Sequence, residues 1–222
     1  MPAQTEHDDL VHLIGFAATK DDLTSLHDRL ETQPPARGPL PLMLNDAGDA
    51  LDDLTDAHAV LVAAASKATV FPVRQGTMVP REKLDEVAAA QTSLAERFDG
   101  LCEARIVARY KEDEIAEELA SSAFKDGNAD QLSDMEKGRL IAEQMKRVRA
   151  KDQDALLEAL AEISKQIADP HVSDPWDMAR ISVLVPLAQL DQLEDLLTKL
   201  AKERLPRCRF EMTAPLPLYS FV

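Results

Sequence analysis

Asp126, Asn128 and Asp130 stand at alternate positions in the stretch DGNADQLSDMEK, 126–137. A twelve-residue calcium loop presents its first oxygen ligands this way. The sixth position, where such a loop must turn sharply, is Gln131, and the twelfth, where a bidentate glutamate belongs, is Lys137. The stretch therefore reads as a solvated surface loop. A second carboxylate group comprises Asp46, Asp49, Asp52, Asp53 and Asp56. Three- and four-residue steps would put the last four on one helix face. With no histidine or cysteine among them, a solvated acidic face is the expected outcome.

The histidines His7, His12, His27, His58 and His171 are scattered. His12 and His58 lie among apolar residues, which favours hydrogen-bonded core histidines over general bases, and neither has a catalytic partner in a known local pattern. GxGxxG, a phosphate loop, GxSxG and HExxH are all absent from the sequence. Cys102 and Cys208 alone make neither a metal quartet nor a disulfide framework. The residues predict a chain without catalytic residues, metal or organic cofactor.

The elements that would position these groups read as follows. LVHLIGFAA (10–18) has strand character. Thr19 with Asp22 marks a helix start, and Leu23, Leu26 and Leu30 continue it to the prolines of QPPARGPLP. LPLML is a weak strand, and the apolar runs AVLVAAA and ATVFPVRQGT follow the acidic segment. Pro72 predicts an edge strand or a bulge. Pro80 opens a helix with Leu84, Val87, Leu94 and Phe98 on one stripe and Gly100 as its cap.

In the second half, ARIVARY (104–110) is a strand, KEDEIAEELASS a helix, and a long helix is predicted over 134–168. Asp152 interrupts the apolar stripe of that helix, predicting that part of it projects from the core. ARISVLV (179–185) is a strand, and Pro186 opens a helix with Leu190, Leu193, Leu197 and Leu200 on one face. In RCRFEMT, Cys208, Phe210 and Met212 alternate with Arg207, Arg209 and Glu211, the signature of a half-buried antiparallel strand. The pattern is α+β with two domains, 1–102 and 103–222. The second suits a ferredoxin-like sheet with an added long helix and a docked proline-rich tail.

Composition bounds the function. The net charge of −15 over 222 residues argues against nucleic acid and against anionic membrane surfaces. No apolar run is long enough for a membrane span, and the N-terminus lacks secretory character, so the sequence predicts a cytoplasmic protein.

Two stretches together resemble the gas vesicle protein L/F (GvpL/GvpF) family. ATVFPVRQGTMVPREKLDEVAAAQTSLAERFDGLCEARIVARY is similar to the family's middle, where P-x-R-F-G-T precedes a helix and a glutamate precedes a strand. Pro72, Arg74, Gly76, Thr77 and Glu103 match, with Gln75 in place of phenylalanine. TAPLPLYSFV resembles the family's closing GPLPPYSF, with Ala214 and Leu218 as departures, and His58 stands where the family tends to have a histidine. The resemblance implies a two-domain α+β, non-enzymatic accessory or minor structural protein of gas vesicles, with a ferredoxin-like second domain. It would bind the shell protein and other vesicle proteins during nucleation and assembly, and so act in buoyancy. A ferredoxin-like small-molecule-sensing regulator is the alternative, on fold analogy.

Two sites follow from the residues. The long helix near Met145 to Leu156 combines an apolar stripe with Lys146, Arg147, Arg149 and Lys151, a basic patch in an acidic chain. Met145, Arg147, Arg149 and Leu156 are the expected partner-binding residues. The tail APLPLYSFV is expected to dock. Pro215 and Pro217 restrict the backbone, and Tyr219 and Phe221 share a face if the chain stays extended. They would fill a groove in the N-terminal domain or between the domains.

Overall fold

The computed structural model describes residues 10–19, 21–45, 50–124 and 131–222. The chain divides into two compact units. One comprises Met1–Ala104, Leu184–Ala188 and Ala214–Val222, and the other Arg105–Val183 and Gln189–Thr213.

The first unit is built on β1 (Leu10–Ala17), which runs antiparallel to three partners: β3 (Leu40–Leu44), β4 (Val70–Pro72) and β5 (Met78–Pro80). β2 (Leu30–Thr32) adds to β3, giving the order β2-β3-β1-β4 with β5 also on β1. Pro72 thus ends an edge strand, where its missing N–H costs no ladder bond. A register shift between Leu13 and Gly15 inserts one extra residue into β1. That bulge resets the alternation, so Val11, Leu13 and Phe16 share one face while Ile14 and Ala17 share the other.

Both faces are covered. Leu40, Leu42 and Leu44 of β3 pack with Val60, Leu61, Ala64 and Ala65 of α1 (Ala50–Ala65). Met43, on the opposite face, packs with Leu84 and Ala88 of α2 (Leu84–Ala90) and Phe98 of α3 (Thr92–Phe98). This two-sided burial explains why LPLML is continuously apolar rather than alternating.

Two predictions for this unit need correction. The helix expected from Thr19 to Leu30 is one 3-10 turn, Thr24–Leu26, followed by β2. Local side chains hold the backbone instead: the Asp22 carboxylate accepts from the Thr24 N–H and hydroxyl, and the Arg29 N–H donates to His27 Nδ1. Such bonds compete with helix, and Leu23 and Leu30 reach the core without one. The helix from Pro80 is in fact β5, a 3-10 turn and two short helices meeting at Gln91. Gly100, at φ +71°, adopts the left-handed conformation expected of a cap residue after α3.

The second unit contains β6 (Leu101–Tyr110), α4 (Glu112–Ala123), α5 (Asp134–Ala161), β7 (Gln166–Ile167), β8 (Asp177–Pro186), α6 (Leu190–Glu203) and β9 (Cys208–Leu216), with the sheet order β7-β8-β6-β9. Some of these strands continue into the first unit. Ser133 caps α5: its hydroxyl accepts from the Glu136 N–H, and the Glu136 carboxylate accepts from the Ser133 N–H.

α5 stops at Ala161 instead of 168. The Ile163 and Ser164 N–H groups both donate to the Leu160 carbonyl, turning the chain. It then runs along β8, where the Ala168 N–H donates to the Ser182 carbonyl.

The reading of Asp152 is also overturned. It is 2% exposed, so the helix does not lift away there. Its carboxylate accepts from Tyr110 Oη at 3.1 Å and from Arg207 Nε and Nη2 at 3.0 and 2.6 Å. A fork-shaped guanidinium and a hydroxyl replace the water that a buried carboxylate loses.

Candidate functional site

In the first unit, residues distant in sequence meet around the C-terminal tail. Arg74 to Thr77 form a tight turn: the Thr77 N–H donates to the Arg74 carbonyl at 3.2 Å, and the Thr77 hydroxyl donates to the same carbonyl. Gly76 sits in this turn at φ +75°, a conformation that favours glycine. The turn is tied to β1 on both sides, through Val73 N–H to the Ile14 carbonyl and Leu13 N–H to the Thr77 carbonyl.

Glu103, fully buried, accepts from the Ser220 N–H at 2.8 Å and the Ser220 hydroxyl at 2.9 Å. His58 Nδ1 lies 3.0 Å from the Tyr219 hydroxyl, with the two rings stacked at 6.1 Å. The Leu218 N–H donates to the Val70 carbonyl, and its side chain is fully buried among Phe71, Phe98 and Leu184. A cavity of about 650 Å³ adjoins this junction, lined by His12, Leu54, His58, Leu61, Val73 and Tyr219. It offers apolar walls with a few hydrogen-bonding groups.

The expected tail residues are buried to different extents, and Leu218 joins them. Pro217 and Leu218 are buried and Pro215 is half-buried, whereas Tyr219 is 39% exposed and Phe221 only partly packed. The tail leaves β9 and turns, with the Tyr219 N–H donating to the Pro217 carbonyl, so Tyr219 and Phe221 do not project together from an extended chain. The alternating leucines of PLPL were the overlooked signal. His58 is likewise an exposed residue of α1 and not a core histidine.

In the second unit, Met145 and Arg149 line a groove of about 680 Å³ between α4, α5 and Trp176. Arg147 is exposed on the flank of α5. Leu156 is 0% exposed, because Asp152 draws this part of α5 onto its own sheet, so its side chain is core and not surface. Trp176, the chain's single tryptophan, stands in DPHVSDPWD, a stretch whose prolines and aspartates predict a loop. A lone tryptophan directly after a proline is the signal the sequence holds.

Asp46, Asp49 and the candidate calcium ligands Asp126, Asn128 and Asp130 lie outside the described residues, as do His7 and the side chains of Asp52 and Asp53. Asp56 pairs with Arg29 at 2.6 Å. Among the described residues no cluster of His, Cys, Asp or Glu is arranged to hold a metal, and no helix is long and apolar enough to cross a membrane.

Comparison with solved structures finds the crystal structure of gas vesicle protein GvpF from Anabaena sp. PCC7120, with a TM-score of 0.71 and 17% identity, over 96% of this chain and 95% of that one. GvpF from Microcystis aeruginosa gives a TM-score of 0.67 and 14% identity, over 96% and 98%. At these identities the likeness concerns the fold. Comparison with curated proteins gives no significant match. The profile described as gas vesicle synthesis protein GvpL/GvpF matches residues 28–222, a span that holds His58, Glu103 and the tail. The chain belongs to the GvpL/GvpF family of gas vesicle synthesis proteins.

Proposed function

We propose that this protein is a non-enzymatic accessory or minor structural component of gas vesicles, binding the shell protein and other vesicle proteins while vesicles nucleate and grow. The observation that carries this reading is the family match across residues 28–222. The chain's chemistry is compatible with it. An acidic protein with net charge −15 stays soluble while handling an aggregation-prone apolar client. We place its work in the cytoplasm and at the vesicle.

The fold reading belongs to the same proposal. The second unit runs β6-α4-α5-β7-β8-α6-β9 with strand order β7-β8-β6-β9. This order supports a ferredoxin-like assignment in which α5 is the added long helix. Deletion of the gene in its native host, scored by vesicle formation and buoyancy, tests the function. Loss or malformation of vesicles, restored by the intact gene, is expected. Normal vesicles in a host without a second family member would sink the reading.

A further inference from the structure

We propose that the groove between α4 and α5 receives an amphipathic helix of a partner protein, one whose apolar face is flanked by carboxylates. This rests on the protein-contact reading above and adds to it a place and a chemistry.

The shape argues for a helix. On α5 the lining positions are Gly138, Ile141, Ala142, Met145, Lys146 and Arg149, a ridge repeating every three to four residues. At 1.5 Å per residue the trough along it is roughly 16 Å long, about three turns of a partner helix. Leu119 of α4 and Trp176 form its other sides. A side-chain carbon added at Gly138 would meet nothing within 4 Å, so that end is open.

The groove is held ready. The Trp176 N–H donates to Asp174 Oδ1 at 2.8 Å, and its carbonyl accepts from the Tyr110 N–H at 2.9 Å. Arg149 Nη2 donates to the Pro175 carbonyl at 2.6 Å, fixing the loop that carries the indole. A fixed aromatic beside aliphatic walls is the usual anchor for an incoming side chain.

Charge selects the partner. From 139 to 151, Arg139, Lys146, Arg147, Arg149 and Lys151 face only Glu143 as a counter-charge in sequence, in a chain of net charge −15. Among the described residues Lys146, Arg147 and Lys151 have no carboxylate partner. A carboxylate-flanked helix supplies what these groups lack, and a basic one is repelled.

Trp176 is the only tryptophan, so its emission in the intact protein reports on the groove directly. The probes are two synthetic helices of about 18 residues, long enough to hold helix. Both carry one leucine face, flanked by glutamates in one and by lysines in the other. The glutamate helix is expected to shift Trp176 emission to shorter wavelength saturably, with affinity falling as salt rises. Lys146→Glu, at an exposed position, should weaken binding by about tenfold. Ala142→Phe should fill the groove and abolish the response while leaving the melting temperature unchanged.

A silent titration, equal affinity for the lysine helix, or full affinity in Lys146→Glu overturns the proposal. An equal response to phosphatidylglycerol vesicles also overturns it, in favour of an anionic surface. If gene deletion abolishes vesicles while the titration stays silent, the groove is refuted and the assembly role stands.

Discussion

Glu103 holds Ser220 with both carboxylate oxygens, one on the backbone N–H and one on the hydroxyl, across 117 positions of sequence. One buried carboxylate thereby fixes the position of the segment that follows the last strand. Leu218, two residues earlier, supplies the apolar half of the same attachment.

The tail should therefore matter to the stability of the isolated protein. Leu218→Ala is expected to cost about 2–5 kcal/mol, the range for a fully buried leucine. Removing residues 217–222 should cost at least as much, because Glu103 is then left buried without Ser220. Denaturant unfolding measures both. Unchanged midpoints would show that the tail contributes nothing to the fold.

Glu103→Gln separates the carboxylate from its shape. The amide keeps one acceptor for Ser220 but loses the charge, so roughly 1–3 kcal/mol should be lost. Ser220→Ala should lose less, because its backbone N–H still donates. The reverse order of the two effects would contradict this account.

Asp152 is the corresponding point in the second unit. Asp152→Ala leaves the Arg207 guanidinium and the Tyr110 hydroxyl without their shared acceptor, and about 3 kcal/mol should be lost. Glu118 keeps a 3.0 Å contact with Arg207, which holds the cost to the lower end for a broken buried pair. A stability change under about 0.5 kcal/mol, typical of a surface site, would rule the network out as a support of α5.

Burial pushes the thiols of Cys102 and Cys208 up to about 12, with Asp152 adding to the effect at Cys208. Both should stay unmodified by a thiol reagent at pH 8 in the native protein and react at once in denaturant. Rapid labelling of the native protein would place at least one thiol outside the core.

Acid should loosen the second unit through Asp177. Burial alone would raise its pKa, but hydrogen bonds from Arg180 and Ser173 outweigh it and hold the carboxyl below the ordinary aspartate range. A carboxylate with a lowered folded pKa stabilises the protein above its unfolded pKa, and that contribution disappears as pH falls through the folded value. Asp177→Asn should flatten the fall in stability below about pH 4. An unaltered acid limb would assign acid sensitivity to other groups.

Sequence alone was informative wherever local rules and burial agree. The strands β1, β6 and β8 announce themselves by apolar β-branched runs, α6 by one leucine face, and β9 by strict alternation. The scattered residues His58, Arg74, Gly76, Thr77 and Glu103 and the tail carried the family resemblance. Of these, Gly76 has a local physical reason, since a turn often needs its positive φ, and the tail's prolines restrict its backbone.

Tertiary structure decided what depends on partners far along the chain. Leu23 and Leu30 have helical spacing, yet they enter the core from a turn and a strand because α1 and β3 offer them burial there. Asp152 looked like a break in an apolar stripe until Arg207 and Tyr110 were brought to it. The tail's aromatics drew attention by size, but a carboxylate at 103 and a carbonyl at 70 fixed the turn that buries Leu218 and leaves Tyr219 beside His58. Spacing encodes which face a residue occupies within its own element; the groups waiting on the other side are fixed only when distant segments close around it.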